Sequence, residues 1–185
     1  DGLYSMLRSF NGLHLTADKA EQTFMQLTGY PHLDNVCSNV LASFFDTEET
    51  HNFGKLFVIS LLECVGKQTN CRSTETVARE MSTDKGNRID IFIETDKHII
   101  AIENKVFSGL NNPFADYEAH IHKLNGANEK EPIFILLTLR EENPGESAFI
   151  NVTFSKLFAA IRKNLGTYVV TASTKWIVLL NDFIR

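Results

Sequence analysis

The stretch that decides the fold consists of RIDIFIE at residues 88–94 and IIAIENK at residues 99–105. Both segments are rich in isoleucine, which is enriched in β-strands and packs well on a pleated surface. Residues 96–97 are the polar pair Asp-Lys, and a two-residue loop there joins the segments as an antiparallel hairpin. The sequence therefore predicts two adjacent strands in the middle of the chain.

The register of this hairpin brings three ionisable side chains together. With a two-residue loop, Asp90 lies directly opposite Glu103. Cross-strand partners have Cβ atoms about 5 Å apart, and like charges at that distance destabilise the pair. Because side chains alternate faces along a strand, Glu103 and Lys105 point the same way. Two carboxylates and an amine in this arrangement predict a site for a divalent cation.

The flanking sequence predicts helices around a small sheet. A helical stripe of apolar residues covers 34–45, and a second covers 53–65 with His51-Asn52 as its cap. We expect a strand between Cys71 and Met81 that ends at Glu80, and a doubly covered strand over 132–138. Further helices are expected over 114–124, 154–165 and 175–184, with a short edge strand at 168–170. This order predicts a mixed α/β sheet covered by helices on both faces.

Composition narrows the class of protein. The chain has 185 residues, of which 43% are apolar, and no apolar run approaches the ~20 residues that span a bilayer. Its three cysteines are odd in number and lack CxxC spacing, which favours a reducing, cytoplasmic setting over a disulfide framework. The net charge of −5 argues against nonspecific binding of a polyanion by the whole surface. Residues 151–185 are locally basic, and this charge fits either a polyanion-binding face or an ordinary solvated surface.

The order of Asp90 followed about a dozen residues later by Glu103-Asn104-Lys105 resembles the PD-(D/E)XK nuclease superfamily. Ile89 stands in place of the family's loosely kept proline. The segment 29–39, the segment 51–54 and the segment 112–117 also resemble family positions, and the likeness is expected to run from about Tyr30 to Thr138. The resemblance implies a restriction-endonuclease-like α/β fold. We expect one domain over 1–185, with amino-terminal helices at about 1–66, a catalytic core at about 71–140 and closing helices at about 151–185.

The resemblance also implies an activity, which is Mg²⁺-dependent cleavage of a nucleic-acid backbone, with Mn²⁺ as a substitute ion. In that scheme Asp90 and Glu103 hold the ion, helped by the Asn104 carbonyl and by Asp34, and Lys105 orients or deprotonates the attacking water. Residues expected to shape the site or contact substrate are Arg88, Glu80 and Tyr117. DNA is the expected partner, in defence or repair, and many members of the superfamily act as homodimers.

Alternatives remain open at this point. Asp90 and Glu103 could be the solvated face of a sheet, and Lys105 could form a structural salt bridge with either. Asp34 stands where the family usually has glutamate and is equally suited to be a helix cap. The histidines at positions 32, 51 and 98 are expected to be capping or surface residues. The main rival function is a catalytically silent domain that binds nucleic acid or protein, and a third is an effector nuclease acting on RNA.

Overall fold

The computed structural model of the protein describes residues 22–29, 34–106, 112–126 and 129–184. Its helices are α1 (Phe24–Leu27), α2 (Asp34–Phe45), α3 (Leu56–Cys64), α4 (Phe114–Asn125), α5 (Phe154–Tyr168) and α6 (Thr174–Phe183). Its strands are β1 (Thr74–Ser82), β2 (Arg88–Thr95), β3 (His98–Lys105), β4 (Glu131–Thr138) and β5 (Ile150–Thr153). Residues 1–21 and 30–33, which fall in the expected amino-terminal helices and family segment, lie outside the described residues.

The strands form one five-stranded sheet in the order β1-β2-β3-β4-β5. The first three are antiparallel neighbours, whereas β4 is parallel to β3 and β5 is parallel to β4. Parallel neighbours require a crossover, and α4 provides it between β3 and β4. The β2–β3 ladder runs from Glu94↔Ile99 to Ile91↔Ile102, so the next position places Asp90 opposite Glu103. The predicted hairpin register is confirmed.

Two apolar clusters cover the two faces of the sheet. One joins α2, α3, α5 and α6 to strand residues such as Ile91, Ile100 and Ile135. The other joins α4 and Phe149 to residues such as Ala101. The predicted mixed sheet with helices on both faces is therefore confirmed. Among the described residues, no helix is long and apolar enough to cross a membrane.

The expected cap of the second helix was wrong. The helix α3 begins at Leu56, and Lys55 occupies its N-cap position without a side-chain cap. His51 is fully buried, its Nδ1 accepts a hydrogen bond of 2.9 Å from the Phe53 N–H, and its Nε2 donates to the Ser43 carbonyl at 3.0 Å. His51 therefore orders the turn before the helix. His98 is also buried, so neither histidine is a surface residue.

The expected edge strand at 168–170 was also wrong. Tyr168 ends α5, and the following Val170 is 86% exposed. The edge strands of the sheet are β1 and β5, and β5 occupies the start of the region assigned to closing helices. Among its four residues, Val152 is the buried one, and Thr153 is already the N-cap of α5, so the strand signal was short and merged with that of the helix.

Candidate active site

Asp90 lies at the point where the inward-facing side chains of β2 switch from one apolar cluster to the other. Ile91 and Ile93 pack into the cluster under α2 and α3, whereas Ile89 packs into the cluster under α4. Strict alternation would put all three side chains on one face, so the strand turns at Asp90. This turn releases Asp90 from either core and leaves it half-buried between the strands.

The neighbouring strand is irregular at the same level. Glu80 lies between the pairs Arg79↔Ile91 and Met81↔Ile89 and has a φ of +53°. A non-glycine residue in that region costs about 1–2 kcal/mol. The strand nevertheless continues to Ser82, so the expectation that it ends at Glu80 was wrong. The pairs on both sides of Glu80 maintain the strand across the distortion.

The carboxylate of Asp90 is bound to the strand that carries Glu103. Its Oδ2 accepts a hydrogen bond of 2.8 Å from the main-chain N–H of Asn104. Burial raises the pKa of Asp90, and this hydrogen bond opposes the rise. The structure therefore brings Asp90 and Glu103 to the same point, as the sequence predicted.

Glu103 is a buried carboxylate with one oxygen satisfied. It is 4% exposed, and its Oε1 lies 3.0 Å from Nζ of Lys105. Its Oε2 is buried and has no hydrogen-bond partner among the described residues. Burial, followed by the negative charge of Asp90, raises the pKa of Glu103 to about 7. The structure thus brings Asp90, Glu103 and Lys105 together. Lys105 forms a salt bridge with Glu103, which the sequence had offered as one alternative.

Asn104 and Asp34 join α2 to the end of β3. The Asn104 side-chain amide donates to Ser38 Oγ at 2.8 Å and to the Asp34 carbonyl at 3.1 Å. Asp34 is the first residue of α2, and its Oδ1 accepts a hydrogen bond of 2.9 Å from the Val106 N–H. The side chain of Asn104 therefore has a structural role, while its main chain faces Asp90.

The expected substrate-contacting residues surround this centre. Arg88 Nη1 lies 3.0 Å from Glu80 Oε2, and the Arg88 side chain is 66% exposed. Tyr117 on α4 is 5% exposed, and burial, followed by the charges of Glu103 and Asp90, raises the pKa of its hydroxyl. Arg88 is therefore at the surface beside Glu80, and Tyr117 is buried where the charges of Glu103 and Asp90 act on its hydroxyl.

One residue of the site was missed from the sequence. Arg79 on β1 donates to the main-chain carbonyl of Asp90 and, through Nε, to Asn39 Oδ1 at 3.0 Å. It lies two residues beyond Val77, which packs against the cluster under α2. A charged residue at an inward-facing strand position was the available signal, because such a residue requires a partner.

The donor set fits a magnesium ion. Among the described residues, no group of three or more His, Cys, Asp or Glu side chains is placed to hold a metal. Mg²⁺ commonly takes one or two protein carboxylates and keeps several waters, so the pair Asp90 and Glu103 suffices. The buried Oε2 of Glu103, which has no hydrogen-bond partner among the described residues, is the observation that fits a cation ligand. Two close carboxylates with raised pKa values are stabilised when a cation neutralises them.

The sequence model of the PD-(D/E)XK nuclease superfamily matches residues 22–185. The chain belongs to this superfamily, whose members are generally nucleases, and its sheet and helices form the restriction-endonuclease-like fold. The match extends through α5 and α6, so the likeness does not stop near Thr138 as expected. No curated protein and no solved structure shows significant similarity to the chain.

Proposed function

We propose that this protein is a Mg²⁺-dependent nuclease that hydrolyses phosphodiester bonds in DNA, with Mn²⁺ as an effective substitute. The observation that carries the proposal is the pairing of Asp90 with the buried Glu103, whose Oε2 has no partner among the described residues. Lys105, 3.0 Å from the other oxygen of Glu103, completes the set. Superfamily membership supplies the class of reaction.

The ion would be held by Asp90, Glu103, the main-chain carbonyl of Asn104 and Asp34. When bound, Mg²⁺ supplies a Lewis acid for the phosphate and lowers the pKa of a water molecule. Lys105 orients the attacking water as an ammonium or deprotonates it as the neutral amine, and the ammonium form offsets charge that develops on the phosphate. Its salt bridge with Glu103 fixes the ammonium beside the carboxylates before substrate arrives.

Arg88 is the proposed substrate contact, and Glu80 and Tyr117 shape the site around it. The exposed guanidinium of Arg88 is suited to a backbone phosphate, because arginine binds phosphate through paired N–H donors. Glu80 holds Arg88 at 3.0 Å in the absence of substrate and thereby shapes the approach to Asp90. Tyr117 supports the site from α4.

The biological setting belongs to the same proposal. We place the enzyme in the bacterial cytoplasm, in defence against foreign DNA or in repair, and as a homodimer when both strands are cut. Its three cysteines are free and buried, and burial raises the pKa of the Cys37 thiol to about 12. The competing function is a catalytically silent domain that binds nucleic acid. The Lys105–Glu103 salt bridge favours this alternative, because it engages the lysine that catalysis would use.

Cleavage of labelled single- and double-stranded DNA and RNA in Mg²⁺, Mn²⁺ or EDTA tests the proposal. Lys105→Ala is compared with wild type, and Lys130→Ala is the matched control. The Lys130 side chain is 14% exposed against 18% for Lys105, and it is likewise paired with carboxylates, those of Glu75 and Glu94. We expect metal-dependent cutting of DNA that Lys105→Ala loses and Lys130→Ala keeps.

Other outcomes would redirect the assignment. Nucleic acid that is retained in a gel shift but never cut would support the silent binding domain. Metal-dependent cutting of RNA and not DNA would identify the effector nuclease. Equal loss of cutting in both lysine variants would show that the effect of Lys105→Ala comes from loss of folding.

A further inference from the structure

The guanidinium of Arg79 connects three structural elements next to Asp90. From β1, its Nη1 donates to the main-chain carbonyl of Asp90 on β2. Its Nε donates to Asn39 Oδ1 at 3.0 Å, and its Nη2 donates to the Asn35 carbonyl at 3.4 Å, both on α2. The side chain is 19% exposed; its bond to Asp90 is partly buried, and its bonds to α2 lie nearer the surface. A planar fork with several donors is what allows one side chain to make all of them.

These bonds act where the backbone departs from regular β-structure. Glu80 with its positive φ follows Arg79 directly, and Asp90 is the residue at which β2 changes faces. Arg79 Nη2 also lies 3.6 Å from Glu80 Oε1. Arg79 thus contacts both distorted residues and ties them to the first turns of α2.

We propose that Arg79 is the positioning residue of the site, which holds the main chain of Asp90 so that its carboxylate faces Asn104 and Glu103. The inference rests on the proposed function for its catalytic consequence. The structural part of the proposal can be tested without measuring activity, because the hydrogen bond from the Asn104 N–H to Asp90 Oδ2 reports the position of Asp90 directly.

Arg79→Met provides the test, with Arg162→Met as the matched control. Arg162 likewise donates to a main-chain carbonyl, that of Ile184, and it lies on α5 outside the site described above. Amide hydrogen exchange is measured at Asn104 and at Ala101 and Ile102 of the same strand. In Arg79→Met we expect exchange at Asn104 to accelerate at least 10-fold relative to those two amides. Arg162→Met should leave the relative exchange of the three amides unchanged.

Kinetics give the second readout. Removing a partner that orients a ligand typically costs 10- to 100-fold in metal affinity or activity. We expect Arg79→Met to lose about 10- to 100-fold in kcat and in Mn²⁺ affinity, with the KM for DNA close to that of wild type. Arg79→Lys, which keeps the charge but lacks the fork, should change in the same direction and serves if Arg79→Met fails to fold.

A folded Arg79 variant whose Asn104 amide exchanges at the wild-type relative rate would overturn the inference, whether or not the wild-type protein cuts DNA. Kinetic constants equal to those of Arg162→Met in an active enzyme would overturn it as well. Failure of the proposed function has a different signature, which is absence of metal-dependent cutting in the wild type.

Discussion

The carboxylate of Asp90 accepts a hydrogen bond of 2.8 Å from the main-chain N–H of Asn104, the residue between Glu103 and Lys105. This bond fixes the position of one acidic group against the strand that carries the other acidic group and the lysine. Because the strand then directs Asn104 toward α2 and its two neighbours toward α4, one short segment supplies both the chemistry and its anchoring.

Metal binding should release a proton from the site. Burial and the charge of Asp90 raise the pKa of Glu103 to about 7, so this carboxyl is largely protonated at pH 6. A carboxylate must be deprotonated to bind a cation. Titration calorimetry of Mn²⁺ in two buffers of different ionisation enthalpy should show close to one proton released per ion at pH 6 and almost none at pH 9. Identical heats in the two buffers at pH 6 would contradict the assignment of Glu103 as a ligand.

The same group should make stability depend on pH. The pKa of Glu103 rises from an ordinary value of 4.5 to about 7, so between these values the folded state holds a proton that the unfolded state lacks. Its contribution to the free energy of unfolding therefore falls as pH rises from about 4.5 to 7. Glu103→Gln removes this contribution. In EDTA we expect the variant to gain about 1–3 kcal/mol relative to wild type on going from pH 5 to pH 8.

Urea unfolding at both pH values measures this change. Glu48→Gln, at an exposed carboxyl in the turn after α2, is the control and should show no comparable gain. A stability difference between wild type and Glu103→Gln that stays constant from pH 5 to pH 8 would show that Glu103 titrates normally.

Asp34→Asn separates the two roles of that residue. The asparagine keeps an oxygen that can accept the 2.9 Å hydrogen bond from the Val106 N–H, but it loses the charge. If Asp34 contributes to the ion site as proposed, Mn²⁺ affinity should fall about 10-fold while the melting temperature stays within about 2 °C of wild type. Unchanged affinity would leave Asp34 as a link between α2 and β3.

Ser38→Ala tests the anchoring of β3 to α2. It removes the acceptor at 2.8 Å from the Asn104 amide, and we expect a loss of about 1 kcal/mol of stability together with weaker Mn²⁺ binding. Ser60→Ala is the matched control, because Ser60 is also fully buried and accepts a hydrogen bond from Asn164 at 3.2 Å. It should lose similar stability without a change in Mn²⁺ affinity. Equal Mn²⁺ affinity in both variants would show that this anchor does not affect the site.

The sequence predicted the hairpin and its register because a two-residue loop leaves little freedom in strand pairing. It also predicted α2 to the residue, since its apolar stripe is regular. The change of face at Asp90 could not be predicted from the sequence, because strand faces are inferred from the rule that side chains alternate. Arg79 was missed because its role depends on contacts with residues distant in the sequence, and β5 was missed because its short strand signal merges with that of α5.

The most direct test of the central claim is to measure Mn²⁺ affinity and single-turnover DNA cleavage on the same samples of wild type, Glu103→Gln and Lys105→Ala. We expect Glu103→Gln to lose both Mn²⁺ binding and cleavage, and Lys105→Ala to keep Mn²⁺ binding but lose cleavage. Wild-type Mn²⁺ affinity in folded Glu103→Gln would contradict the proposed metal site, because the ion would then bind elsewhere.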